Sequence, residues 1–591
     1  MKVSKAGLAI RCTVAGFAVL LVLFSFFSFH YSDYSDTLDN SMLLGDALLD
    51  GNLGEYYEFA AKNASGTTVY TANYDVPLYA VFLVWNLPTF IAHRAGGFDY
   101  SSSAAALLWC KALILAGIAV SAVFFLKILS FRTDDRGERF DDIVIFVSSS
   151  CVVFPALVTC QYDVLPVALT LAGLYFYLKK RDVIFTVIFA LAVPLKIFAL
   201  FVYIPLLLLR EKRIWAIFLR LIPAFAVNFI ASLPFRGNDW YEMCLGSQNR
   251  DAADLIINSS IKIGGVSVCP FIAAFLAICV MSYISKACDE DEKTYHTAIY
   301  ASAAAMASFV CLVAIRSYWC IVSVPFVLLV ACSRAKHRRA NMLLFIIGGA
   351  FGTVYYMSTH WVLSYGGLIK RFILSGLGPR EGYELKYGGI SSLIKAYSLD
   401  KYAPLALTLF IAATAMIFIL NRPGVKTAEG GAEKPEARYP ALQVGITALL
   451  VAATVFSCTA VRRTALVSGK VSGYSGDILD GSTVSCDFVS QEDRTVTEIG
   501  FTAKNGATAR HIRSTVEVAL VDSETGEVLF EKTVGTVLVP NEKEYTVKVG
   551  GVTLEEGHGY EIVFRGSALR NYGSTFRIGC GSDGKPAVTV R

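Results

Sequence analysis

Apolar runs separated by short charged loops fill the chain as far as Val461. The first, Thr13–Phe29, follows Lys2, Lys5 and Arg11 and leads into His30-Tyr31-Ser32-Asp33 without a small-x-small cleavage site. The pattern predicts an uncleaved span with its N-terminus on the cytoplasmic side. Further runs able to cross or nearly cross a ~30 Å hydrocarbon core lie at about 104–130, 143–159, 164–178, 183–197, 198–210, 214–233, 264–285, 297–315, 319–332, 341–358, 403–420 and 441–461. With the first, this predicts about thirteen spans. Beyond Val461-Arg462-Arg463 the period shortens to strand alternation, as in Val516–Leu520, Glu527–Phe530, Tyr545–Val549 and Tyr560–Phe564, with Gly, Asp and Asn at the turns. Residues 465–591 therefore read as an antiparallel, jelly-roll-like β-sandwich. The stretch 422–440, rich in Pro, Gly, Lys and Glu, reads as a linker.

Charge placement orients the spans. Basic clusters occur at Arg132/Arg136/Arg139, Lys179-Lys180-Arg181, Arg210/Lys212/Arg213, Arg334/Lys336/Arg338/Arg339 and Arg422/Lys426. All fall on the cytoplasmic side if the apolar segment 76–93 dips into the outer leaflet and returns; a full span there would move the first cluster outside. The clusters at 179–181 and 210–213 are close in sequence, so two short helices must fit between them, broken near Pro194-Leu195-Lys196. Such breaks at membrane depth occur where backbone lines an enclosed cavity. The resulting topology is a multi-pass cell-membrane protein with a cytoplasmic N-terminus and an extracytoplasmic C-terminal domain.

Composition agrees. The 591 residues are 55% apolar and 17% charged, with mean hydropathy +0.53. Net charge is only +5 and no basic stripe is interleaved with aromatics, which excludes a nucleic-acid binder. Most of the fourteen cysteines sit singly in apolar runs, with no CxxC pair or Cys/His cluster of zinc spacing. Cys486 and Cys580 can pair if the C-terminal domain is extracytoplasmic.

Four polar features then fall on the outer face. Asp33, Asp36 and Asp39 follow the first span directly, a pattern that suits a general base as well as a solvated helix start. Asn73-Tyr74-Asp75-Val76-Pro77-Leu78 opens the dip, and can equally be an interfacial aromatic belt. Gln161 and Asp163 lie in the tight turn Cys160-Gln161-Tyr162-Asp163, where they can bind a sugar or cap the next helix. Lys196 stands in an otherwise apolar stretch and requires an anionic partner or a path to the interface.

In this order the pieces resemble the GT-C superfamily of membrane glycosyltransferases, which use polyprenyl-phosphate-linked sugars. Among these the chain is most similar to the bacterial polyprenol-phosphate-mannose-dependent mannosyltransferases and to the catalytic subunit of the eukaryotic GPI mannosyltransferase I. Those proteins carry an Asp in the first external loop, a Tyr-x-x-Pro-Leu segment, a Gly-Gln-x-Asp/Asn turn and a Lys soon after the next cytoplasmic loop. Here Cys160 replaces the usual Gly, and Tyr-Asp-Val-Pro the usual Tyr-Pro-Pro. The resemblance implies a catalytic module over residues 1–235 with its external loop at 31–75, further helices over 236–464, and an added β-domain over 465–591. It implies inverting hexosyl transfer from a polyprenyl-phosphate donor to a lipid or cell-envelope glycan acceptor, among membrane lipids, with no cofactor and no metal. Asp36 is the preferred base, ahead of Asp33 and Asp39. Lys196, then Arg236 and Arg316, would bind the donor phosphate, and Gln161, Asp163, Tyr74, Asp75 and His360 the substrates. Two other readings compete. A polysaccharide ligase or polymerase would rely on His360, Arg371, Arg380 and Glu381 in the late external segment, and a multi-span transporter would need a midplane polar site and internal repeats.

Overall fold

The computed structural model describes residues 5–64, 72–285, 291–359, 363–423, 437–505, 514–567 and 575–591. It separates into a helical unit, residues 1–378 and 386–460, and a β unit, residues 379–385 and 461–591.

Each of the thirteen apolar runs expected from the sequence contains helix. Among the described residues, length and composition qualify seven helices as membrane spans, or up to nine if two bent pairs each count as one. The difference lies in shorter apolar helices such as Val164–Leu178, Asp182–Ala192 and Pro270–Ile284. The helix after the acidic cluster at Asp134-Asp135 begins at Arg136, with the Asp135 carboxylate capping the Gly137 and Glu138 amides. It runs to Ser148 and bends by 48° before resuming over Ser150–Val158. The break frees backbone carbonyls. That of Ser148 is taken up by Thr447 Oγ1 at 2.7 Å and Gln443 Nε2 at 3.5 Å, both from the last helix, Arg438–Thr459. An unpaired carbonyl at membrane depth costs several kcal/mol, so these two polar side chains are where an apolar helix must have them.

The basic clusters gather at one end of the bundle. Arg11 makes a two-pronged bond to Asp141, and Arg338 joins Glu138 at 2.8 Å and Asp142 at 2.5 Å. Arg132 also bonds Glu138, Arg334 donates to the Arg422 carbonyl at 2.6 Å, and Lys180 pairs with Asp291 at 2.6 Å. The segment 76–96 is sharply bent, as a re-entrant dip or a broken span would be. Its halves, Val76–Trp85 and Leu87–Gly96, meet at 77°, and both pack on the loop helix Ser32–Leu49: Leu83 and Phe90 lie against Gly45, and Arg94 pairs with Asp46 and Asp50. A Cβ on Gly45 would lie 2.7 Å from the Phe90 ring, so only glycine permits this approach. Stacked Trp85 and Trp109 exchange two indole-to-carbonyl bonds and fasten the bent segment to the helix Ala104–Leu129.

Two larger antiparallel sheets build the β unit. In one, Val528–Gly535, Thr515–Asp522, Gly559–Ser567 and Thr483–Val489 lie in that order. In the other, the long strand Arg494–Asn505 is flanked by Glu544–Leu554 on one side and by Val588–Val590 and Phe576–Cys580 on the other. Val518, Leu520, Ile562 and Phe564 of the first sheet share one core with Val496, Ile499, Phe501 and Ile578 of the second. Tyr560 is buried in that core and Tyr545 packs against it, so their alternation is structural. Cys486 and Cys580 are both free thiols. The β unit begins at Val461 rather than 465, and takes in Pro379–Leu385, because Tyr383–Leu385 pairs with Val461–Arg463 and Glu384 bonds Arg462.

Candidate active site

The helix Ser32–Leu49 starts three residues after the first helix, Lys5–Ser28, ends. Tyr34, Leu38, Met42 and Gly45 form its buried stripe at helical spacing. Asp33 lies in its first turn, where the helix dipole favours a carboxylate. One turn apart, Asp33, Asp36 and Asp39 fan across the partly exposed face and meet different neighbours.

Asp33 Oδ2 accepts a 2.7 Å hydrogen bond from Gln161 Nε2. Burial pushes its pKa up from the carboxylate range, opposed by hydrogen bonds from Gln161 and Tyr31 and by the charges of Arg316 and Lys196. Asp36 is pushed up to about 7 by burial, Asp39 and Asp33, with Arg371 the opposing charge. Asp39 is pushed up to about 6 by burial, opposed by the Tyr100 hydroxyl and Arg371. Asp33 therefore bonds Gln161 and feels the charges of Lys196 and Arg316, whereas Arg371 is the cation whose charge acts on Asp36 and Asp39.

The tight turn supplies the next pieces. Cys160 has φ +52°, the left-handed conformation that glycine adopts freely. The motif that the turn resembles has Gly at this position, the residue this conformation favours. Gln161 also donates to the Thr159 carbonyl at 3.2 Å, which orients its amide. Asp163 does not cap the helix Val164–Leu178 with its side chain. Its buried carboxylate pairs with Lys196 Nζ at 3.4 Å instead.

Lys196 stands at the joint between Asp182–Ala192 and the turn Ile197–Ala199 that opens the next helix. Its ammonium donates to Tyr74 Oη at 3.2 Å and lies over the rings of Tyr74 (4.5 Å), Tyr162 and Trp319 (both 5.8 Å). A cation on aromatic faces beside one carboxylate is partly neutralised and keeps donor capacity for an anion. The cluster thus places a carboxylate and an amide beside the charges of Lys196 and Arg316, at the end of the bundle opposite the basic loops.

Residues 74–333 match the model of glycosyltransferase family 87. The match supports a membrane glycosyltransferase of the GT-C type. It starts at Tyr74 and takes in Gln161, Asp163, Lys196 and Arg316, while the loop aspartates precede it. No curated protein matches the chain. Among solved structures, the cryo-EM structure of arabinosyltransferase EmbB from Mycobacterium smegmatis is similar at 11% identity and a TM-score of 0.31, covering 99% of this chain and 65% of that one. The chain thus spans 65% of that protein's length.

Within this GT-C-type frame the remaining sequence candidates separate. Asp75 accepts a 3.0 Å bond from Tyr241 Oη and has its pKa raised by burial, so it buttresses the neighbouring Tyr74. Arg236 is exposed with its guanidinium 4.1 Å over Phe229, and its charge acts on Tyr241. Arg316 is drawn to Tyr318 and also feels Asp33 and Tyr74. His360 lies outside the described residues. The sequence reading missed Trp319 and Tyr318, which line the cluster; an aromatic pair directly after Arg316 was the available signal. Among the described residues no group of three or more His, Cys, Asp or Glu side chains is arranged to hold a metal ion. A cavity of about 740 Å³ lies elsewhere, between the first and last helices; residues such as Phe17, Leu21, Val451 and Phe456 line it and none is titratable.

Proposed function

We propose that the chain transfers mannose or a similar hexose, with inversion, from a polyprenyl-phosphate donor to a lipid or cell-envelope glycan acceptor at the outer membrane face. The observation that carries this reading is the Asp33–Gln161 bond beside Lys196 and Arg316. The acceptor oxygen attacks the anomeric carbon as its proton passes to a carboxylate. The bond from that carbon to the phosphate oxygen breaks, its electron pair leaving on the phosphate. Lys196 and Arg316 stabilise that developing charge. Gln161 and Asp163 hold sugar hydroxyls, and Tyr74 steadies the lysine.

The geometry favours Asp33 over Asp36 as the base, because Asp33 shares its surroundings with both cations and the Gln161 amide. The positive-inside rule supports the topology: the N-terminus and the basic loops would be cytoplasmic, and the cluster extracytoplasmic. Asp33→Asn and Asp36→Asn test the assignment, with release of polyprenyl phosphate from a polyprenyl-phosphate mannose donor as the readout. Loss of a general base costs roughly 10²–10⁴ in rate, so that drop is expected for Asp33→Asn, with Asp36→Asn staying within about tenfold. The reverse pattern returns the base to Asp36. Activity in both variants, with loss in Arg371→Ala, favours the ligase reading.

A further inference from the structure

A second lysine lies deep in the helical unit, and the reaction as written does not use it. Lys111 belongs to the helix Ala104–Leu129 and is fully buried. Among the described residues no carboxylate pairs with it. Its Nζ donates instead to three backbone carbonyls at the end of the first helix: Ser25 at 3.2 Å, Phe26 at 2.8 Å and Phe29 at 2.5 Å. The Phe26 and Phe372 rings stand 5.4 and 5.7 Å from the ammonium.

The arrangement has a physical logic. The last carbonyls of a helix have no partner within it and form the negative end of its dipole. In water, solvent satisfies them; here the first helix ends inside the protein. An ammonium has three donors: Lys111 directs bonds to two of these carbonyls, Ser25 O and Phe26 O, and to Phe29 O, one residue past the helix end. Another, Phe27 O, accepts from the Ile373 amide at 3.3 Å, and the amide of His30 donates to Leu368 O at 2.8 Å. The joint between the first helix and the helix bearing Asp33 is therefore held by tertiary donors. Phe29, whose carbonyl has the shortest bond to Lys111, is four residues from Asp33. Cys160 Sγ contacts the same carbonyl at 3.8 Å, so the joint also touches the turn that carries Gln161.

We propose that Lys111 is a positioning residue of the transfer reaction: its buried ammonium clamps the end of the first helix and so fixes where Asp33 enters the site relative to Gln161. This inference rests on the reading of Asp33 as the base.

The test uses the full-length protein in detergent or nanodiscs, with a polyprenyl-phosphate mannose donor. Lys111→Met keeps the length of the stem and removes the donors; Lys111→Arg keeps charge and donors in another shape. For each folded variant, kcat, donor KM and the pH profile of kcat are measured. A displacement of about 1 Å in a reacting group costs roughly 10²-fold, so kcat of Lys111→Met should fall by about 10- to 100-fold with donor KM within about twofold. Its acid limb should move to higher pH, because a loosened joint weakens the Gln161 bond that holds the Asp33 pKa down. Lys111→Arg should lie between Lys111→Met and the parent. Parental kcat and pH profile per folded molecule in either variant overturns the proposal, and so does failure of both variants to fold, which is how a purely structural lysine behaves. Asp33→Asn separates the two readings. If it stays active, the base assignment fails; if it is inactive while Lys111→Met turns over normally, only the positioning role fails.

Discussion

Replacing Lys196 by Met removes one ammonium and keeps most of the apolar stem. Two consequences can be worked from the structure. The Asp163 side chain is 1% exposed and that of Lys196 13%, and they pair at 3.4 Å. Removing one partner of a buried pair typically costs about 3–5 kcal/mol, because the other charge is left without compensation. The second consequence is kinetic. Loss of one preorganised charge at a developing anion costs about 10²–10³ in kcat. Lys196→Met should therefore lose both stability and turnover. Adding Asp163→Asn removes the stranded carboxylate, so the double variant should recover most of the stability and none of the turnover. Thermal unfolding in detergent reads the first quantity, and release of polyprenyl phosphate reads the second. Recovery of turnover together with stability in the double variant would refute the reasoning and reduce Lys196 to a counter-ion of Asp163.

Other outcomes follow from the same geometry. Gln161→Ala should shift the acid limb of activity to higher pH, since the lost hydrogen bond stabilises the Asp33 carboxylate; an unmoved limb in the kcat–pH profile counts against Asp33 as the base. Asp36 has a folded pKa of about 7 against an ordinary 3.8, so its contribution to stability is greatest below the unfolded value and is lost as pH rises through about 7. Asp36→Asn should accordingly raise the unfolding midpoint, relative to the parent, more at pH 8 than at pH 5, as differential scanning fluorimetry would show. Arg338→Ala strands Asp142, which is fully buried, and should cost about 3–5 kcal/mol while activity per folded molecule stays unchanged.

The helical framework was legible in the sequence because hydrocarbon imposes a simple rule: apolar runs bounded by charge must become helices. A break within the segment 76–93 was legible for a related reason, since a straight span there would separate the basic loops, and the structure bends it by 77° with Arg94 tied to Asp46 and Asp50. Lys196 was legible as an ammonium in an apolar stretch that needed an anion. Its partner was not, because an Asp two residues after Gln161 looks the same whether it caps a helix or faces a lysine. The choice among Asp33, Asp36 and Asp39 was equally hidden. Residues one turn apart share a pattern, and only the rotation of the helix, fixed by Tyr34, Leu38 and Met42 packing elsewhere, gives each its neighbours. Lys111 carried a signal that went unread, a charge well inside the span at 104–130, unlike Lys127 near its end. Its solution, backbone carbonyls from another helix, leaves no mark in residue types. The start of the β unit at Val461 was hidden too, because its pairing strand at Tyr383–Leu385 is far off in sequence.

The broken helix at Ser148 has a consequence for biosynthesis. Its carbonyl is satisfied by Gln443 and Thr447, which the ribosome delivers almost 300 residues later. Until then the growing chain carries an unmet polar group in the bilayer, covered only by what the insertion machinery or a stray water supplies. Assembly is therefore not complete helix by helix: the last transmembrane segment closes a gap opened by one of the first. A chain that stalls before residue 438 should persist as a quality-control substrate, however well its earlier helices have inserted.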